Sequence, residues 1–338
     1  MNVREIINAT NGILLSGDEN LEIIGFSQDS RKIKAGMMYI PLIGERFDGH
    51  DFIESAFANG ASAIISDRDI KSDDKVVIKV EDTLKALQDM ARYLRKNRNV
   101  KVVGVTGSVG KTSTRDMVYS VVKKGYKTLK TEGNYNNNIG LPLTILRHKD
   151  EEVLVLEMGM NHLKEMEELS LIALPDISAI TNIGTAHIGE LGSRENILKA
   201  KLEITVGMKD GSSLIINNDN DLLSTVELDN LELVKVGIDS DSDFRAQNVV
   251  LKDDHSTFEL NYLNEIYKVN VPVPGNHFVL NALIAIAIGI KLDISIEKCI
   301  QGINEFQLTK KRMDIIELKN NITLIDGTYN ASEDSMKS

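Results

Sequence analysis

The chain has 338 residues, of which 42% are hydrophobic and 26% are charged. This composition indicates a globular protein of two or three domains and excludes disordered and collagen-like chains. Lysine and arginine total 39 against 50 for aspartate and glutamate, and the net charge of −11 argues against nucleic acid or an anionic membrane as a partner. An anionic ligand must therefore meet a local positive site.

Cysteine usage and hydropathy predict the compartment. Cys299 is the single cysteine, so the chain cannot form an internal disulfide, and Met1 to Asn11 lacks the basic start and apolar core of a signal peptide. The longest nearly apolar stretch, Val279 to Ile290, is interrupted by Asn281 and is far shorter than the roughly 20 residues of a membrane helix. We expect a cytoplasmic monomer that does not insert into membranes.

Residues 1–98 are predicted to form a small α/β domain. Glycine and proline residues separate short β-like and helical runs, which cover Leu21 to Ser27, Met37 to Leu42, Phe52 to Phe57 and Ala61 to Ile65. A helix from about Thr83 to Lys96 closes the domain, because apolar residues at spacings of three or four form one stripe along it.

Residues 99–311 are predicted to form a mostly parallel, doubly wound sheet. Apolar runs between helix-compatible segments predict its strands at Val100 to Val105, Val153 to Leu156, Ile177 to Ile183, Leu214 to Ile216 and Leu233 to Val236. Strands that alternate with helices favour such a sheet. Alternating residues between Phe244 and Val273 predict an antiparallel excursion, after which a helix from Asn276 to Lys291 returns to the sheet.

Residues 312–338 are predicted to begin a third, Rossmann-like domain. They contain a predicted strand, Ile322 to Ile325, and a predicted helix start at Glu333. We expect this segment to be only the first part of that domain.

A glycine-rich turn, Gly107-Ser-Val-Gly-Lys-Thr112, lies between the first strand of the central domain and a helix that begins at Lys111. In this context backbone N–H groups bind phosphate oxygens, a lysine reaches the β- and γ-phosphates, and a threonine hydroxyl ligates Mg²⁺. The strict phosphate-loop spacing is broken, because Val105 occupies the place of the first glycine. The buried strand and the helix nonetheless favour a nucleotide site over an ordinary glycine turn.

Polar residues follow two further strands at the same edge of the predicted sheet. Glu157 ends the strand from Val153, and a carboxylate in this crevice suits Mg²⁺, although a surface glutamate is the alternative. His187, in Asn182-Ile-Gly-Thr-Ala-His187, either reaches the same site or is structural. An asparagine-rich segment, Asn134-Tyr-Asn-Asn-Asn-Ile-Gly-Leu-Pro142, fits neither a helix nor a strand and is interpreted as a polar ligand loop.

These segments, in this order, resemble the Mur ligase family, the ATP-dependent amide-forming enzymes that build the peptide of bacterial cell-wall precursors. The resemblance spans nearly the whole chain. It is carried by Asp29-Ser-Arg31, Gly44 to Phe52, the asparagine-rich segment, Glu157-Met-Gly-Met160, and Asn182 to Lys201 with Gly192-Ser-Arg-Glu195. Within the family the pattern is most similar to the members that attach D-alanyl-D-alanine to a UDP-N-acetylmuramoyl-tripeptide.

The resemblance implies binding roles for the matching residues. The UDP-linked substrate would be held by residues of two segments, Ser27, Asp29, Ser30 and Arg31, and Asn134, Asn136 and Asn137. ATP would be bound by the loop residues and by three later positions, namely Gly107, Ser108, Val109, Gly110, Lys111, Thr112, Ser113, Asn281, Arg312 and Asp326.

The resemblance also implies a site for two magnesium ions. Thr112 and Glu157 would hold one ion, and His187 would be a ligand of the second. Family members carbamylate the lysine that matches Lys201 with CO₂, which turns a cationic side chain into an oxygen ligand for magnesium. Lys111, Glu157, His187 and Lys201 would then be the catalytic residues. His187 could instead be structural.

The implied reaction has two steps. The tripeptide carboxylate attacks the γ-phosphate of ATP to give an acyl phosphate, and the amine of D-alanyl-D-alanine then displaces phosphate to form the amide.

Other functions stay open at this point. One is a ligase of another step of the pathway. Another is a fragment that binds nucleotide and UDP-sugar without turnover, since family members carry a third domain of roughly 100 to 150 residues. A folate polyglutamate ligase is disfavoured by the segment from Asp29 to Phe52, because those enzymes lack a UDP-binding domain.

Overall fold

The computed structural model describes residues 1–308, 314–318 and 322–326. Arg312 and the predicted helix start at Glu333 lie outside the described residues. The chain divides into two compact units. Unit 1 comprises residues 1–99 and 133–149, and unit 2 comprises residues 100–132 and the described residues from 150 onward.

Unit 1 is built on a five-stranded sheet with the strand order β1-β5-β4-β3-β2, in which only β1 is antiparallel to its neighbour. Its elements are α1 (Val3–Thr10), β1 (Ile13–Ser16), β2 (Gly25–Ser27), β3 (Met37–Tyr39), α2 (Ile53–Ala58), β4 (Ala63–Ser66), β5 (Val76–Lys79), α3 (Thr83–Asn97) and, later in the chain, α5 (Gly140–Ile145). The small α/β domain predicted for this region is confirmed.

Helix α3 forms where the apolar stripe predicts it. The Asp82 carboxylate caps its start by accepting a hydrogen bond of 2.7 Å from the Lys85 backbone N–H. Its buried face includes Leu87, Met90 and Leu94. The stripe therefore sets both the position of the helix and the face that it buries.

The asparagine-rich segment was predicted to be a loop through Pro142, and that prediction is wrong for its last three residues. Gly140, Leu141 and Pro142 begin α5, every residue of which is buried. Proline is tolerated in the first turn of a helix because the N–H groups there have no partner within the helix. Helix α5 packs against α3, so residues 133–149 group with unit 1, unlike the predicted division at residue 99.

Unit 2 is built on a nine-stranded sheet with the strand order β14-β13-β12-β11-β10-β9-β6-β8-β7. Its elements before the antiparallel part are β6 (Lys101–Thr106), α4 (Lys111–Val122), β7 (Thr128–Lys130), β8 (Val153–Glu157), α6 (Glu165–Ala173), β9 (Ile177–Ile180), α7 (Ile188–Leu191), α8 (Arg194–Leu202), β10 (Ser213–Asn217) and β11 (Glu232–Gly237). They are followed by β12 (Phe244–Leu251), β13 (Ser256–Tyr262), β14 (Glu265–Val271), α9 (Asn276–Lys291) and α10 (Ile296–Asn304).

The pairing of these strands confirms the predicted fold class. Strands β7 to β12 pair in parallel, whereas β12, β13 and β14 form the predicted antiparallel excursion. Helix α9 packs against α4, α10 and the strands β10 to β13, and 11 of its 16 residues are buried. Burial of each isoleucine on α9 contributes about 1.5–3 kcal/mol, so this helix is the centre of the core of unit 2.

Strand β6 marks the point where the strand order reverses. It lies between β8 and β9 and pairs in parallel with both. The carboxyl ends of these three strands, Thr106, Glu157 and Ile180, therefore meet at one edge of the sheet. This is the crevice in which doubly wound folds bind their ligands.

The last described segments form an antiparallel hairpin of β15 (Asp314–Leu318) and β16 (Ile322–Asp326). The predicted strand at Ile322 is confirmed, and its partner β15 was not predicted. Across the described residues, no helix has both the length and the apolar character needed to span a membrane.

Candidate functional site

The glycine-rich turn is shaped by two glycines with positive φ. Gly107 has a φ of +153°, and a Cβ atom placed on it would lie 1.9 Å from the Thr181 Oγ1 atom. Gly110 has a φ of +82° and precedes the first residue of α4. Both positions require glycine, Gly107 because of space and Gly110 because of the backbone conformation. These two glycines therefore fix the shape of the turn, although Val105 occupies the place of the first glycine in the usual phosphate-loop spacing.

The turn is tied to the segment that follows β9. The backbone N–H groups of Ser108 and Val109 donate to the carbonyl and side-chain oxygens of Asn182, at 3.0 and 2.9 Å. The Thr181 hydroxyl donates to the Val109 carbonyl at 2.7 Å. Two amides of the loop are thus used to fix it, which leaves the first turn of α4 as the part suited to phosphate.

Helix α4 begins at Lys111, and no N-cap side chain accepts a hydrogen bond from its first N–H groups. The Lys111 ammonium donates to the carbonyl oxygens of Gly107 and Ser108, at 2.8 and 3.2 Å, and so lies over the turn. An uncapped helix N-terminus beside a lysine is a positive site in an acidic protein. The sequence predicted such a local site for an anionic ligand.

Glu157 lies against this helix rather than on the surface. Its side chain is buried, and its Oε2 atom accepts hydrogen bonds from the Thr112 hydroxyl at 3.0 Å and from Arg115 at 3.1 Å. The structure therefore brings together Thr112 and Glu157, two of the four predicted magnesium ligands. A carboxylate and a hydroxyl are the hard oxygen donors that Mg²⁺ prefers.

His187 and Lys201 form a second cluster with Lys111. Burial, followed by the positive charge of Lys111, holds the pKa of Lys201 well below its usual range. Burial also lowers the pKa of His187, and the charges of Lys201 and Lys111 lower it further. Within the described part of the chain no carboxylate forms an ion pair with Lys201. The environment of this cluster favours an added negative charge.

Asn281 lies close to the turn, as the predicted ATP contact requires. A Cβ atom on Gly110 would be 3.6 Å from the Asn281 Oδ1 atom. Asn281 is buried on α9, and its side-chain nitrogen has no hydrogen-bond partner within the described residues. A buried donor of this kind is costly unless it meets an acceptor, so Asn281 has a hydrogen bond to offer to a ligand. Arg312 and the side chain of Asp326 lie outside the described residues.

The predicted UDP-binding residues of the first segment lie at the last residue of β2 and in the turn that follows it. The Ser27 hydroxyl accepts from the Asp29 backbone N–H at 3.0 Å, and the Asp29 carboxylate accepts from the exposed Arg31 side chain at 2.8 and 2.9 Å. The Arg31 hydrogen bond lowers the pKa of Asp29. Ser30 is buried, and its carbonyl accepts from the Asn59 side chain.

The asparagine-rich segment belongs to the same unit as this turn. The Asn137 side chain accepts hydrogen bonds from the backbone N–H groups of Gly140 and Ile139, at 2.9 and 3.3 Å. The Asn134 carbonyl accepts from the Asn136 N–H at 2.8 Å. Asn137 therefore has a structural role at the start of α5, which the density of amide groups in the sequence did not predict.

Sequence reasoning missed four polar residues of this site. Thr181 and Asn182 fix the turn, and Arg115 and Asp116 are buried beside Glu157. Asn182 had been noted only as the start of the segment that leads to His187. The available signal for Arg115 and Asp116 was their place in the helix that follows the turn.

Comparison with known proteins places this architecture in a family. A family model described as the Mur ligase middle domain matches residues 105–289, and one described as the Mur ligase family, catalytic domain, matches residues 22–95. The UDP-N-acetylmuramoyl-tripeptide--D-alanyl-D-alanine ligase of Bacillus subtilis is 39% identical over 339 residues, which cover 99% of this chain and 73% of that protein.

Solved structures give the same result. MurF from Acinetobacter baumannii superimposes with a TM-score of 0.93 at 33% identity, over 99% of this chain and 74% of that one. The MurF ligase from Thermotoga maritima in complex with ADP gives 0.84 at 30% identity, over 95% of this chain and 74% of that one. The resemblance noted in the sequence is confirmed, and the chain belongs to the Mur ligase family of ATP-dependent ligases.

Proposed function

We propose that this chain attaches D-alanyl-D-alanine to a UDP-N-acetylmuramoyl-tripeptide with ATP, through an acyl phosphate. The observation that carries the proposal is the contact between Thr112 and Glu157 at the uncapped start of α4, beside Lys111. Relatives that bear the name of this reaction match the chain over nearly its whole length. The reaction consumes ATP, so we also propose the cytoplasm as its compartment.

Phosphate contacts are proposed for the turn from Gly107 to Ser113. In the first step an oxygen of the tripeptide carboxylate attacks the γ-phosphorus, the bond to the ADP oxygen breaks, and ADP leaves. Lys111 and the amides of the first turn of α4 offset the repulsion between two anions. In the second step the dipeptide amine attacks the acyl carbon, phosphate leaves, and a proton is released.

The residues present fit Mg²⁺. We propose that Thr112 and Glu157 hold one ion, and that His187 and a carbamate on Lys201 serve a second. The described residues contain no group of three or more His, Cys, Asp or Glu side chains that could hold a metal ion by itself. Mg²⁺ needs no such cage because it keeps waters and phosphate oxygens as ligands. When bound, it supplies positive charge to the transferred phosphoryl group.

A carbamate on Lys201 is supported by the surroundings of that residue. The lowered pKa favours the neutral form of the buried amine, which is the form that reacts with CO₂. The carbamate would then bring one negative charge to a position near the Lys111 ammonium. A carbonyl signal from protein equilibrated with ¹³C-bicarbonate, absent in Lys201→Met, is the expected result in ¹³C NMR spectra.

Substrate binding is proposed for unit 1. Ser27, Asp29, Ser30 and Arg31 would contact the UDP end, with Asn134, Asn136 and Asn137 also contacting the substrate. Both segments belong to this unit, which supports a shared role. Asn281 is proposed to contact the nucleotide base, and Arg312 and Asp326 are further proposed nucleotide contacts.

The test is ADP release by the whole chain. Release is expected only when UDP-tripeptide and D-alanyl-D-alanine are supplied together with ATP and Mg²⁺, using tripeptides that carry either lysine or meso-diaminopimelate. Turnover with a UDP-linked precursor and D-glutamate, lysine or meso-diaminopimelate as the amine would move the chain to another step. Nucleotide binding without any turnover would contradict the proposal.

A further inference from the structure

We propose that Arg115 is a positioning residue that holds the Glu157 carboxylate at the start of α4, and that Asp116 and Lys130 hold Arg115 in turn. This inference rests on the proposed function, because it assigns Glu157 to the magnesium-bound nucleotide. It concerns residues that do not themselves touch the substrate.

Arg115 joins two carboxylates through different N–H groups of its guanidinium. The Nη1 atom donates to Glu157 Oε2 at 3.1 Å, while Nε and Nη2 both donate to Asp116 Oδ1, at 2.9 and 2.7 Å. The exposed fractions of Arg115, Asp116 and Glu157 are only 3%, 4% and 3%. Arginine suits this bridge because its donors lie in a planar, fixed fork that an ammonium group lacks.

Lys130 completes the arrangement from β7. Its ammonium donates to Asp116 Oδ1 at 2.8 Å and lies 4.7 Å from the centre of the Tyr119 ring. The four side chains Arg115, Asp116, Lys130 and Glu157, called here the paired cluster, carry two positive and two negative charges. Burying charges is costly even when they are paired, so such a cluster is weak evidence for stability alone.

The paired cluster orients the Glu157 carboxylate. One oxygen of Glu157 is held by both Thr112 and Arg115, which restricts rotation of the carboxylate. Loss of a side chain that holds a metal ligand in this way typically costs about ten- to a hundredfold in metal affinity or activity. Removal of Arg115 should therefore weaken the metal-dependent part of nucleotide binding. The metal-free part, which depends on Lys111 and the helix N-terminus, should stay.

The experiment is calorimetry with ADP, in Mg²⁺ and again in EDTA, on the whole chain. The dissociation constant in EDTA divided by that in Mg²⁺ measures how much Mg²⁺ strengthens binding. Arg115→Met should lower this ratio by about tenfold, the low end of the effect of such supporting residues, while the affinity in EDTA changes less than about twofold. Arg115→Lys keeps the charge but cannot bridge both carboxylates, so it should lower the ratio by about threefold.

Lys124→Met is the matched control, because it removes a partly buried cation that pairs with Glu305 just after the other end of α4. It should leave the ratio at the wild-type value. If Arg115→Met does not fold, as judged by thermal unfolding, Arg115→Lys decides the question alone. Wild-type ratios in the folded Arg115 variants would overturn the inference, as would equal losses in Mg²⁺ and in EDTA.

Failure of this inference is distinct from failure of the proposed function. If wild-type protein binds ADP no more tightly in Mg²⁺ than in EDTA, the proposed magnesium-nucleotide site is wrong. If wild-type protein shows the enhancement and both Arg115 variants keep it, only the role of Arg115 is wrong.

Discussion

Two clusters of buried and partly buried ionisable side chains lie near the first turn of α4, and they differ in how their charges are balanced. The paired cluster satisfies each of its four charges with an opposite one. In the lysine cluster, composed of Lys111, His187 and Lys201, burial first and neighbouring positive charge second hold the pKa values of Lys201 and His187 below their usual range. Paired charges hold side chains in fixed positions within the protein. Basic side chains whose pKa is lowered by burial and by like charge indicate a candidate site for an anionic ligand.

The largest expected effect comes from breaking the paired cluster. Glu157→Ala leaves the Arg115 guanidinium buried with one carboxylate fewer, and removal of one partner from a buried pair costs about 3–5 kcal/mol of unfolding free energy. Urea unfolding followed by circular dichroism measures it. Glu167→Ala, which removes an exposed ion pair with Lys164, is the control and should cost at most about 1 kcal/mol. Equal losses in the two variants would show that the buried charges are not coupled.

In the lysine cluster we expect a substitution to raise the unfolding free energy rather than lower it. Lys201→Met replaces a buried amine by an apolar side chain of similar length, so unliganded protein stripped of CO₂ should gain about 1 kcal/mol or more in unfolding free energy. ADP release should be lost in the same variant. A variant that is both less stable and fully active would contradict the account of this cluster.

The sequence predicted the lysine cluster better than the paired cluster, for a physical reason. Lys111 stands at a glycine turn and His187 follows an apolar strand, so the fold class alone brings them to one edge of the sheet, as it does Glu157 of the paired cluster. Arg115 and Asp116 look like ordinary solvated residues of an amphipathic helix. They are buried because α4 packs on both β8 and α9, which no local pattern states.

The secondary structure likewise divides into elements that the local sequence predicts and elements that depend on contacts with distant segments. Helix α3 follows from its periodic apolar stripe, and the buried strands of unit 2 follow from continuous apolar runs. Strands β1, β5 and β7 were not predicted, although β2, β3 and β4 are equally short and fall in or overlap predicted runs. The structure of so short a run depends on its neighbours in the sheet. Residues 133–149 pack with unit 1 because α5 buries its apolar residues there, a contact between segments distant in the chain.

A smaller effect tests balanced charge in unit 1. Asp48 accepts hydrogen bonds from His50 and Arg68, and these hold its pKa well below the usual range, with the His50 contacts first. The unfolded chain therefore binds a proton at Asp48 more readily than the folded chain does. Its contribution to stability is present above the ordinary aspartate pKa of about 3.9 and is lost as the pH falls below it.

Asp48→Asn should therefore flatten the decline in thermal stability between about pH 5 and pH 2. Asp74→Asn, at an exposed aspartate whose ion pair is with Lys75, is the control and should keep the wild-type slope. An unchanged slope in Asp48→Asn would remove this residue from the acid sensitivity of unit 1.

The central claim is that the lysine cluster and the start of α4 bind the phosphates of a nucleotide. Calorimetry with ADP and Mg²⁺ on wild-type protein and on Lys111→Ala tests it most directly. The account predicts binding by the wild-type chain and loss of at least about 2.7 kcal/mol of binding free energy, or roughly a hundredfold, in the variant. Equal affinities for ADP in the two proteins would contradict it.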